Sequence, residues 1–88
     1  METKSKRIEM QSNRYEIRPV GPTDSTHGED VDTLGAVIRY AGTPEAAKLV
    51  ARLVAENHYW GVAIVDSADG TVDFGDGRIE PLRKVRAF

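Results

Sequence analysis

An α+β domain, with one helix laid on a mainly antiparallel sheet of about five strands, is the fold class this sequence predicts. Three observations predict it. Short runs at 14–20, 33–41, 59–66, 71–75 and 78–82 carry apolar residues at strand spacing or in compact blocks. One segment, 44–57, repeats its apolar residues at helical spacing behind Thr43-Pro44-Glu45. Two Asp-Gly pairs separate the last three strand runs.

Each element has its own warrant. Residues 1–13 are polar and basic, and Ile8 and Met10 alternate, so 7–10 reads as a short edge strand before the main domain at 14–82. Between Arg14 and Val20, Tyr15 and Ile17 point one way and Arg14, Glu16 and Arg18 the other, a half-buried strand that Pro19 closes. Gly21–Asp32 is a long polar connection without periodicity, of the length that is often functional in compact domains. Thr33–Ala41 reads as one continuous strand.

The helix starts clearly. Thr43 can cap, Pro44 suits the first helical position, and Glu45 places an acid in the first turn. Ala46, Leu49, Val50, Leu53, Val54 and Asn57 follow helical spacing, leaving Glu45, Lys48, Arg52 and Glu56 outside. Strands at Tyr59–Asp66, Thr71–Gly75 and Arg78–Leu82 follow, joined by turns at Asp69-Gly70 and Asp76-Gly77. Residues 83–88 read as a basic tail. The spacing leaves open whether the strands flanking the helix are parallel or antiparallel.

The pleat raises a question about the second face of the sheet. Trp60, Val62 and Ile64 are large and suit the helix side. The opposite side collects small apolar residues, assigned here to Gly35, Val37, Ala41, Tyr59, Ala63 and Val65. A solvated antiparallel face should be polar, so these six are expected to be covered, by the chain itself, by self-association or by a partner.

Composition narrows the chemistry. The chain has 88 residues, no cysteine, and a formal charge of −2. Without thiols there are no disulfides, thiolate metal sites or cysteine nucleophiles, and a cytoplasmic location is expected. No apolar stretch is long enough to cross a bilayer, and Lys4, Lys6 and Arg7 are not followed by the apolar core of a secretory signal. The charge is uneven. Residues 19–77 hold ten acidic against three basic groups, while 1–18 and 78–88 are both net basic.

Val72-Asp73-Phe74-Gly75-Asp76-Gly77 is similar to the Trp-Asp-Phe-Gly-Asp-Gly stretch of PKD-type β-sandwich repeats, and Asp73-Phe74-Gly75 shares letters with the magnesium motif of protein kinases. The first likeness covers about six residues, and the helix before it does not suit an all-β repeat. The kinase set also needs a glycine-rich loop, a strand lysine and a catalytic-loop Asp and Asn, and this chain carries none of them. From Asp66, the loop positions that should offer oxygen to calcium are Ala68 and Gly70. Asp24, His27, Glu29, Asp30 and Asp32 match no metal template, His58 suits a helix end, and no serine sits in a nucleophile elbow.

The expectation is therefore a non-enzymatic protein-interaction module without cofactor or metal. Its most concrete form is an acidic inhibitor that offers carboxylates to the basic surface of a nucleic-acid-binding protein. By analogy of size and charge alone, anti-CRISPR proteins of phages are of this kind. The contact residues would be Asp24, Glu29, Asp30 and Asp32 in the long loop, then Asp69, Asp73 and Asp76 at the hairpins. The alternatives are a small bacterial homodimeric domain, or a weak nucleic-acid binder acting through its basic ends.

Overall fold

The computed structural model describes residues 13–26 and 28–87, so the edge strand expected over 7–10 lies outside the described residues. A five-stranded sheet is built from β1 (Tyr15–Pro19), β3 (Arg39–Ala41), β4 (Val62–Asp66), β5 (Thr71–Asp73) and β6 (Ile79–Pro81). Its order is β3-β1-β4-β5-β6, and every neighbouring pair is antiparallel. A second, two-stranded sheet joins β2 (Thr33–Leu34) in parallel to β7 (Arg86–Ala87). The helix α1 (Pro44–Ala55) lies between β3 and β4 in the chain. The fold class is the α+β arrangement that the periodicities predict.

The crossover is now decided. β3 and β4 each run antiparallel to β1, so they are parallel to one another with β1 between them. α1 begins as its sequence demands: the Thr43 hydroxyl accepts the Ala46 N–H at 3.1 Å, with Pro44 at the first position. It ends at Ala55, and Asn57 and His58 donate N–H groups to Val54 and Ala55 in a closing turn.

The core has two layers. On one face, Tyr15, Ile17 and Ala41 of the sheet pack with Ala47 of the helix, joined by Val50, Val54 and their neighbours. On the other, Leu34, Ala63, Val65 and Val72 form a second cluster with Val20, Phe74, Leu82 and Val85. Val62 and Ile64 face the helix while Ala63 and Val65 face away, as the pleat of β4 predicts.

Several expectations are corrected. Thr33–Ala41 is not one strand. Val20 faces Leu34 but Ile17 faces Arg39, so three steps along β1 match five along this segment. The surplus is taken up at 35–38, which splits the run and sends Leu34 into the layer away from the helix. Gly35 is needed there because a Cβ would lie 2.7 Å from Cγ of Pro19. The strand expected from Tyr59 begins only at Val62, because Tyr59 and Trp60 lie in a turn closed by Gly61 N–H to His58 C=O.

The Asp76-Gly77 turn is also longer than two residues. Phe74 N–H bonds Arg78 C=O, leaving Gly75-Asp76-Gly77 as a three-residue loop. Both glycines take positive φ, at 80° and 94°, and Asp76 does not. The stretch read as a basic tail carries structure of its own over 83–87. Leu82–Lys84 form a 3₁₀ turn, and Arg86 N–H bonds Asp32 C=O as β7 joins β2.

Candidate interaction surface

The carboxylates expected to meet a partner are mostly occupied within the chain. Arg86 Nη1 donates to Asp24 Oδ2, and the Thr26 N–H donates to Asp24 Oδ1 at 3.0 Å. Asp30 accepts the Ser25 hydroxyl at 2.6 Å, and Asp32 accepts Arg78 Nη2 at 3.4 Å. Asp73 and Asp76 accept the N–H groups of Gly75 and Arg78, the short-range bonds that aspartate makes in turns. Asp69 lies 3.9 Å from Arg14. Glu29 is exposed and makes no hydrogen bond or ion pair among the described residues. The basic C-terminal stretch thus lies against the acidic loop.

Nor do the six small-face residues form one surface. Ala63 and Val65 are 0% and 1% exposed beneath the chain's own Leu34, Leu82 and Val85. Ala41 faces the helix instead, Tyr59 projects from its turn, and Gly35 and Val37 lie in the irregular stretch before β3. The cover that the pleat requires comes from β2 and the C-terminal segment.

What the surface does offer is apolar. Tyr40, Leu49, Leu53, Tyr59, Trp60 and Ile79 are each more than half exposed. Leu49 and Leu53 are 58% and 65% exposed, although their spacing places them in the expected core stripe. The stripe that is used is Ala47, Val50, Ala51 and Val54, which has equally good helical spacing. The alanines at 47 and 51 were the available signal, since small residues let a helix sit close to a sheet. Tyr59 and Trp60 stack edge to face, with ring centroids 5.2 Å apart, and remain exposed as a pair.

A groove of about 520 Å³ runs between α1 and the β4–β5–β6 part of the sheet. Its apolar lining includes Ala51, Ala55, Val62, Ile64 and Ile79, and its helix wall carries Lys48 and Arg52. Register explains the sheet side. Ile64, Asp73 and Ile79 are successive cross-strand partners and therefore share the helix-side face. Lys48 and Arg52, expected on the outer face of the helix, make no ion pair among the described residues.

Charge is most tightly held at the end of β4. Arg14 donates to both oxygens of Asp66, each at 3.1 Å, and Asp66 Oδ1 also accepts the N–H groups of Ala68 and Asp69. The hydrogen bond from Arg14 holds the Asp66 carboxyl below the ordinary carboxylate range, against the opposing effect of burial. Among the described residues, no group of three or more His, Cys, Asp or Glu is placed to hold a metal ion. No described helix is long and apolar enough to cross a membrane. No protein-family model, curated protein or solved structure matches the chain.

Proposed function

We propose that this chain is a non-enzymatic module that works by binding another protein. The observation that carries this reading is the pair Leu49 and Leu53, exposed on the outer side of α1 with the core stripe filled by other residues. Surface leucines at i and i+4 form a ready contact row, and burying each against a partner is worth about 1.5–3 kcal/mol of transfer free energy. The form with an acidic surface that imitates phosphate draws on Glu29 and Asp30, both exposed in the long loop. Its other carboxylates are drawn into ion pairs and turns, so the apolar surface takes the larger share of the reading.

Affinity capture from a lysate of the source cell tests this. Wild type is compared with Leu49→Ser/Leu53→Ser and with Glu29→Lys/Asp30→Lys. The expected result is a protein retained by wild type and lost with the leucine variant. Loss with the loop variant alone would transfer the contact to the acidic surface. Equal retention by all three forms would remove both.

A further inference from the structure

The helix-side face of the sheet is only half covered. Strands lie about 4.8 Å apart, so five of them make a face roughly 24 Å wide. A helix about 10 Å across covers less than half of that width. α1 sits over β3, β1 and β4, and the groove is what remains on its other flank. The uncovered strip is therefore about one helix wide. At its outer rim Ile79 is 64% exposed, a large apolar residue on the face that should be buried.

An extended peptide added at the β6 edge fits less well. Val72 and Glu80 are the residues whose backbone groups face each other across β5 and β6, between the bonded pairs Phe74–Arg78 and Gly70–Leu82. Ile79 and Pro81 therefore point their backbone groups outward, and Pro81 has no N–H to donate. The edge is blunted, while the face beside it is open.

Charge identifies the occupant further. Lys48 and Arg52 line the helix wall of the groove without ion-pair partners among the described residues. Asp73 also reaches the groove, but its Oδ1 accepts the Gly75 N–H at 2.8 Å. A second copy inserting its own α1 across a twofold axis would set Lys48 and Arg52 of both helices against one another, which like charge disfavours. An acidic flank on the incoming element removes that repulsion and pairs both cations.

We propose that the groove between α1 and β4–β6 seats an amphipathic helix of a partner protein, its apolar stripe on Ile64 and Ile79 and acidic residues along the edge facing Lys48 and Arg52. This rests on the protein-binding reading above and names the chemistry of one partner element. The added helix completes the layer that α1 begins.

The test is selection from a displayed library of helical 15-residue peptides, randomised on their surfaces, against the full chain. The selected peptides should carry an apolar stripe with Asp or Glu on one flank. Ile79→Asp should weaken the selected peptides by about thirtyfold or more, because it removes one of the two apolar anchors and sets a carboxylate against the apolar stripe. Lys48→Glu/Arg52→Glu should weaken them by about tenfold, and peptides with lysine in place of the flanking acids should recover on that variant. These positions are exposed, so both variants should keep the wild-type circular dichroism. Selection of no binder, of binders without acidic enrichment, or of binders unaffected by Ile79→Asp would overturn the proposal. Binders lost with Leu49→Ser/Leu53→Ser but not with Ile79→Asp would overturn the groove and leave the protein-binding reading standing. A wild-type dimer that Ile79→Asp dissociates would give the groove to a second copy instead.

Discussion

Asp66 is the last residue of β4 and has four hydrogen-bond donors around it: two from Arg14 and the N–H groups of Ala68 and Asp69. It therefore ends the strand, starts the turn, and fixes the entry to β1. Arg14 lies 5.2 Å from the Tyr15 ring centroid as well, so the guanidinium is oriented from two sides. Because the folded-state pKa of Asp66 is lowered, its contribution is present above the unfolded value, about 3.9, and is lost as pH falls through the folded one. Asp66→Asn should lower stability at pH 7 by about 1–2 kcal/mol, since an amide cannot receive the Arg14 fork as a carboxylate does. Urea unfolding at pH 7 and again near pH 3 should show the deficit shrinking on acidification. A deficit that is equal at both values would assign the residue a purely steric role.

At the scale of the element, α1 separates packing from display. Leu49→Ser/Leu53→Ser should change stability by less than about 1 kcal/mol, because surface substitutions away from structural features usually stay within about 0.5 kcal/mol each. Ile17→Ala, beneath the same helix, should cost about 2–5 kcal/mol. Denaturant midpoints of the two variants measure the contrast, and a leucine pair as costly as Ile17 would place it in the core after all. This is also where the limits of the sequence lie. The helix start was legible because Thr43, Pro44 and Glu45 act through local bonds. The pleat of β4 was legible because alternation is local too. The choice between two apolar stripes on α1 depends on which side meets the sheet, a tertiary fact. The split of Thr33–Ala41 was hidden for a similar reason: each half answers to a different partner, β7 or β1. The groove was not legible at all, since Lys48, Ile64 and Ile79 meet only once the strand order is known.

Across the described residues, part of the uneven charge of the sequence is met within the chain. Arg14 with Asp66, Arg78 with Asp32 and Arg86 with Asp24 each bring a basic group from near one end to the acidic middle. The C-terminal segment adds apolar cover, with Leu82 and Val85 over Ala63 and Val65. Val85→Ala should destabilise the fold by about 1–2 kcal/mol, read from equilibrium urea unfolding, by thinning the cover over the second layer. No measurable loss would mean that Leu34 and Leu82 seal that layer without it.

The parallel pairing of β2 with β7 also has a kinetic consequence. It joins residues 33–34 to 86–87, a separation matched closely by the β1–β4 pairing of Tyr15 with Asp66, but only two residue pairs long, so it repays little of its closure entropy until the rest of the sheet holds its ends together. The β4–β5–β6 meander, whose pairings are local, gives the chain an earlier foothold. The β2–β7 pairing is therefore expected to form after the rate-limiting barrier and to open first on the way back. A chevron plot of Val85→Ala would show this as a steeper rise in the unfolding rate than fall in the folding rate. The segment read as a basic tail would then act chiefly as a brake on unfolding.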